Sequence, residues 1–312
     1  MPDPKRTWLR NADFLVAWDE AGQRHRYLLG GDLVFAGNEI SFVGQDYGGT
    51  AEEVIDCAGR MIMPGLINIH AHPSSTLEGK GLIEEVGTLA LGSSLLYDYY
   101  KMINLPASAK RGNLSAAIAE LLKGGSTTVI DISYVPSTGT YPAVDGWIET
   151  MAASGIRAYA GAQAADAIHW TPDGHSAAYK WNKDNGAKGL KEAVALVEAA
   201  NSHSSGRIGG ILAAGQADTC TPELLRDMKK EADRLGVPLS IHVAQSPAEF
   251  REMVDRTGLT PIQWLNEVGF IDERTILAHC LFIDDHPQLH WPKHEDRRII
   301  AGSGAKIGRA HV

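Results

Sequence analysis

The stretch Met63-Pro-Gly-Leu-Ile-Asn-Ile-His-Ala-His72 organises the chain around it. Pro64-Gly65 punctuates the backbone as a turn. Leu66, Ile67 and Ile69 then form the short apolar run of a buried strand, and two histidines close it. Residues two apart on a strand face the same side, so His70 and His72 present both imidazoles to one face. Two neutral imidazoles at that spacing can grip a single divalent metal ion. The pair alone also fits two solvated histidines at a strand end, and the rest of the chain has to separate the two.

Upstream, residues 1–60 carry an all-β pattern. Phe14–Trp18, Tyr27–Leu29, Asp32–Phe35, Glu39–Val43 and Glu53–Asp56 are short strand-like runs, parted by the turn formers Glu20-Ala-Gly22, Gly30-Gly31 and Gly37-Asn38. No cluster of ionisable residues suggests chemistry here, so 1–60 is expected to be a small structural β-sandwich domain. Downstream, residues 61–306 alternate apolar strands with amphipathic helices, the mark of a parallel sheet. Strands are expected at Gly65–His70, Thr127–Ile132, Arg157–Ala162, Ile208–Ala213, Pro238–His242 and Thr275–His279, with a seventh starting near Gly304. Helices are expected at Asn113–Lys123, ending in Gly124-Gly125, at Glu192–Ala200, at Pro222–Leu235, opened by Thr221 with Pro222 and closed by Gly236, and at Pro247–Thr257 and Pro261–Val268. This spacing predicts an α/β fold of the (β/α)8 TIM-barrel type. A doubly wound sheet is disfavoured, because no glycine-rich phosphate fingerprint follows the first strand. Residues 73–112 make a long first connection, with a further helix expected at Ser93–Ile103.

Composition narrows the function. With 312 residues, 44% hydrophobic and 21% charged, the chain suits one large soluble barrel with an appendage. A net charge of −9 argues against nucleic acid or an anionic membrane surface as partner. Three cysteines without CxxC spacing point to a reducing compartment. No signal peptide or transmembrane run is legible, and a cytoplasmic location is expected.

Two further histidines end apolar strands, His242 in Pro-Leu-Ser-Ile-His-Val-Ala-Gln245 and His279 in Thr-Ile-Leu-Ala-His-Cys280. In a barrel all strand C-termini converge on one mouth. His70, His72, His242 and His279 are therefore expected to share one metal site. These stretches, together with Gly124-Gly-Ser-Thr-Thr-Val-Ile-Asp131 and the lead-in Val54-Ile-Asp-Cys-Ala-Gly-Arg60, make the chain resemble the amidohydrolase superfamily. It is most similar to the branch of cytosine-deaminase-like and triazine hydrolases (chlorohydrolases). The resemblance implies a small β-domain joined to a metal-bearing barrel, and one Zn2+ (or Fe2+) held by these four histidines with an aspartate at the end of strand eight. It implies a hydrolase that uses metal-activated water on a C–N or C–halogen bond of a small cyclic or amide compound. Hydrolysis of linear amides or amidines, and a catalytically silent scaffold of the same fold, are the alternatives. No lysine occurs in Arg157–Asp166, which argues for one metal rather than a lysine-bridged pair.

Two departures from that pattern stand out. Relatives that deaminate usually carry glutamate where this chain has Gln245. A glutamine can hydrogen-bond a substrate but cannot exchange a proton at neutral pH. Glu249 is a possible substitute, although a solvated first-turn glutamate is the expected reading. Secondly, no strand eight follows residue 306. The terminal Ile307-Gly-Arg-Ala-His-Val312 can be encoded by the start of a common sequencing adapter. The chain is accordingly read as C-terminally truncated, with 307–312 a non-native tail, His311 excluded as a ligand, and little or no activity without the strand-eight aspartate. A homodimer or higher homo-oligomer is expected of the complete protein. His286, His290 and His294 are interrupted by Pro287 and Pro292, so a loop is expected there rather than a metal-binding helix. His169, Trp170 and His175 are expected in a loop after the third strand and are candidates to face the pocket. Asp131 reads as a ligand support or a structural cap, Cys280 as a packing residue, and Trp264 and Leu265 as core.

Overall fold

The computed structural model describes residues 4–73, 107–134, 144–170 and 178–308. Contacts divide the chain into two units, Met1–Leu66 and Ile67–Val312.

In the first unit β1 (Arg6–Asp19), β2 (Arg24–Ala36), β3 (Glu39–Gly44), β4 (Glu53–Asp56) and β5 (Met61–Ile62) join in one five-stranded sheet. β2 pairs antiparallel with β1 and β3, while β4 and β5 run parallel to β1. The runs Tyr27–Leu29 and Asp32–Phe35 are one strand, not two. Gly30-Gly31 makes a bulge instead of a turn: Gly30 has φ 69° and, across the ladder, Asn11 has φ 62° where the register slips between Leu9 and Ala12. The carboxylate of Asp32 steadies it by accepting from the Asn11 N–H at 3.1 Å.

The second unit runs β6 (Leu66–Ala71), α1 (Ala107–Lys123), β7 (Ser126–Tyr134), α2 (Val144–Ser154), β8 (Arg157–Ala164), β9 (Ala167–Trp170), β10 (Ala178–Trp181), α3 (Lys183–Asn201), β11 (Ile208–Gln216), α4 (Pro222–Leu235), β12 (Leu239–Val243), α5 (Pro247–Thr257), α6 (Pro261–Val268), β13 (Thr275–His279), α7 (Asp296–Ser303) and β14 (Lys306–Gly308). Seven strands form a parallel sheet in the order β14-β13-β12-β11-β8-β7-β6. The ends of that order approach each other, since a Cβ on Gly308 would lie 2.8 Å from the Cβ of His70. The result is a nearly closed parallel barrel, with every strand expected from the apolar runs present, although Leu66 and Ile67, read as buried, are exposed at the start of β6. The expected helix Ser93–Ile103, His175 and His311 lie outside the described residues.

β11, β12 and β13 are buried along their whole length, as strands with helices outside and a filled interior must be. Ile130, Ile132, Ile211, Ala213 and Ile276 fill the barrel, with Ile69 and Tyr159 packed against them. A larger cluster, including Trp147, Leu225, Trp264 and Leu265, lies between strands and helices. Three successive helices share one capping pattern. Thr221, Ser246 and Thr260 accept from the N–H three residues on, a proline follows each cap, and Gly236, Gly258 and Gly269 close the helices in the left-handed region. No helix forms between His279 and Glu295, so His286, His290 and His294 sit on a loop as expected.

Candidate metal centre

His70 lies in β6, His72 just beyond its end, His242 in β12 and His279 at the last position of β13. Although 209 residues apart in sequence, His70 and His279 bring their Nε2 atoms to 3.3 Å. The Nε2 atoms of His242 and His72 lie 3.2 Å apart. Ring centroids of His70 stand 5.1, 4.9 and 4.8 Å from those of His72, His242 and His279. His70, His72 and His242 each offer a ring nitrogen within 4.8 Å of the others. The structure thus gathers all four sequence candidates into one cluster.

His70, His242 and His279 are buried, and His72 is half-buried. Burial, then the mutual repulsion of their charged forms, holds the pKa values of His70 and His72 far below the histidine range. Burial lowers His242 to about 4. These imidazoles are therefore neutral near pH 7, the form in which nitrogen ligates a metal. The Nδ1 of His242 donates to the Gly215 carbonyl at 2.7 Å, which leaves its Nε2 as a bare lone pair. The Nδ1 of His70 is buried without a hydrogen-bond partner. Converging neutral nitrogens with an unsatisfied buried atom are costly unless a cation accepts their lone pairs. The donor set fits a borderline-soft divalent ion such as zinc. Backbone strain concentrates at the same place: Ala244, His279 and Cys280 have φ of 52°, 79° and 48°.

The groups around the cluster refine the sequence reading. Gln245 is half-buried two residues past the end of β12. Glu249, expected to be solvated, is fully buried. Its carboxyl turns inward because two backbone N–H groups, of Ala244 and Gln245, need an acceptor there, at 2.9 and 2.7 Å. Burial and the nearby charge of Asp218 push Glu249 up to about 8. Asp131 accepts from the indole N–H of buried Trp147 at 2.8 Å, tying β7 to α2. Burial pushes the Cys280 thiol up to about 12, which fits a packing residue better than a nucleophile.

His169 sits on β9, close enough for its charge to depress the pKa of His242. Asp218, not singled out from the sequence, is fully buried just after β11 and accepts from the Tyr179 hydroxyl at 2.5 Å. An aspartate following a buried β-run was the only signal available for it.

A profile of the amidohydrolase family matches residues 61–309. The chain belongs to the amidohydrolase family. Among its relatives is a 5-methylthioadenosine/S-adenosylhomocysteine deaminase of Carboxydothermus hydrogenoformans, 31% identical over 266 residues, covering 81% of this chain and 54% of the relative. A 5'-deoxyadenosine deaminase of Methanosarcina acetivorans is 28% identical, covering 89% of this chain and 58% of the relative. Among solved structures, the atrazine chlorohydrolase of Arthrobacter aurescens complexed with zinc shares the amidohydrolase fold. Its TM-score is 0.72 at 20% identity, over 96% of this chain and 64% of that one. The chain therefore spans between half and two thirds of the length of the relatives it matches.

Proposed function

We propose that this amidohydrolase is a metal-dependent hydrolase acting on a C–N or C–halogen bond of a small cyclic or amide compound. The observation that carries the proposal is the set of four imidazoles gathered at the barrel mouth, with His70, His72 and His242 held neutral chiefly by burial. His70, His72, His242 and His279 hold one divalent ion, zinc being the ion bound in the chlorohydrolase of the same fold. When bound, such an ion acidifies a water toward neutrality and so supplies a nucleophile near pH 7.

The chain's own residues prepare the site. Gly215 fixes the tautomer of His242, and the apolar side chains inside the barrel leave the site no polar neighbours among themselves. Gln245 offers an amide that orients a substrate heteroatom by hydrogen bonding, without exchanging a proton. Curated relatives are named for deamination and the structural neighbour for dechlorination, and both attack an electron-poor ring carbon. The free cysteines support a reducing compartment. Among the described residues no helix is long and apolar enough to cross a membrane.

Elemental analysis of the purified protein tests the first half: about one zinc or iron per chain is expected, and a protein that takes up neither rules out the proposal. Turnover of chloro- and amino-substituted heteroaromatic rings by the metal-loaded protein, extended to the length of its relatives, tests the second half.

A further inference from the structure

The strands that carry His242 and His279 pair in parallel along their length, and beyond that ladder their ends are joined through Ala244. Its carbonyl accepts from the N–H groups of both Leu281 and Phe282, at 2.9 and 2.8 Å, just past His279. One step earlier, the Cys280 N–H donates to the Val243 carbonyl at 3.1 Å. Ala244 itself sits at φ 52°, a conformation that a non-glycine residue keeps only when its surroundings hold it there. What holds it is Glu249. One carboxyl oxygen accepts from the Ala244 N–H at 2.9 Å and the other from the Gln245 N–H at 2.7 Å.

An ordinary capping box would send this glutamate back to the N–H of the cap residue, Ser246. Instead it reaches two residues further, into the turn that follows a histidine of the cluster. It does so fully buried, with a second fully buried carboxyl, Asp218, close enough to act on it. Burying two acids side by side is unfavourable. An apolar side chain would fill the same space without that penalty, but it would leave two buried N–H groups unsatisfied.

We propose that Glu249 is a positioning residue of the metal centre: by holding the Ala244–Gln245 turn, it sets the placement of His242 and His279 together. The proposal rests on the reading of the histidine cluster as a metal site. Groups that orient ligands from behind affect metal affinity by about 10–100-fold, so Glu249 should matter to zinc binding without touching zinc.

The test is zinc affinity, measured by competition with a chromogenic chelator on the 312-residue chain. A wild-type protein that takes up no zinc refutes the metal reading, and this assignment with it. With wild-type binding established, E249Q is expected to bind zinc about 10–100-fold more weakly. D166N serves as the comparison. Asp166 is an equally buried acid that accepts from the Thr221 N–H and hydroxyl at 2.8 and 2.7 Å, away from the histidine turns. D166N is expected to keep wild-type affinity. E249Q binding as tightly as wild type overturns the positioning role and leaves the metal reading standing; an equal loss in D166N overturns it too, since the loss would then be general destabilisation. Should E249Q fail to fold, amide hydrogen exchange on the wild type decides. Coupling is reciprocal, so zinc must slow exchange at Ala244, Gln245, Leu281 and Phe282 together. Unchanged exchange at these four amides overturns the proposal.

Discussion

His242 donates through Nδ1 to the carbonyl oxygen of Gly215, 2.7 Å away, so β11 orients a histidine carried by β12. The bond commits that ring to one tautomer and leaves Nε2 free of a proton, facing His72. Zinc at a hundred times its Kd should then stabilise the fold by about 2.7 kcal/mol, a rise of several degrees in Tm. H242A should abolish that rise, because it removes both the lone pair and its orienting bond. Thermal melts with and without zinc, and with a chelator added, measure it. A zinc-dependent rise that survives in H242A would count against the assigned ligand.

In the zinc-free protein the histidine cluster and Glu249 act on stability in opposite directions on either side of the ordinary histidine pKa, about 6.5. On the acid side, burial lowers His242 from 6.5 to about 4 in the fold. Its contribution is fully present above about 6.5 and lost as pH falls through about 4, with His70 and His72 acting in the same direction. On the alkaline side the sign reverses. Burial raises Glu249 from 4.5 to about 8, so its contribution is present at low pH and lost as pH rises through about 8. Melting across pH 6.5 to 9 should show Tm falling as pH rises through about 8, and E249Q should flatten that fall. A Tm that climbs steadily above pH 6.5 would contradict the burial of Glu249.

Much of this site was legible because strand physics writes it into the chain. Apolar runs ending in histidine at residues 70, 242 and 279 imply a common mouth, and the Ser/Thr–Pro openings with glycine closings mark α4, α5 and α6 at their observed limits. Glu249 was misread because polarity in a first turn usually means solvent. The Ser246-Pro-Ala-Glu249 spacing of a capping box was the signal to weigh against that. The hairpin of β9 and β10 went unseen, since Ala167–Trp170 and Ala178–Trp181 mix polar and apolar residues without a two-residue alternation. That hairpin places His169 near the cluster and Tyr179 on Asp218, so the missed element contributed a missed part of the site.

Gly161 should tolerate no side chain. It lies on β8 facing the barrel interior, where an added Cβ would meet Ile132 at 2.9 Å, Ile211 at 3.1 Å and Ala213 at 3.4 Å. These neighbours come from β7 and β11 on either side, so neither can retreat without disturbing its own strand. G161A should cost about 1–3 kcal/mol as overpacking, read from denaturant midpoints at constant m-value. A neutral G161A would show that the interior holds more space than the Ile130, Ile132, Ile211 and Ile276 packing leaves.

Gln245→Glu should change the chemistry more than the fold. The side chain leaves a half-buried position just past β12, while the residue's backbone N–H stays bonded to Glu249. The new carboxyl would have buried Glu249 nearby and partial burial of its own, both of which raise its pKa toward neutrality. It would then be able to take a proton from the attacking water and return it to a departing group, a role worth about 10²–10⁴-fold when well placed. Amines gain most, because they leave poorly unless protonated; chloride leaves as the anion and gains little. On rings differing only in a chloro or amino substituent, Q245E in a protein extended to the length of its relatives should therefore raise kcat/KM for the amine selectively and add an ionisation to its pH–rate profile. Equal effects on both rings, or an unchanged pH profile, would place residue 245 outside the path of the proton.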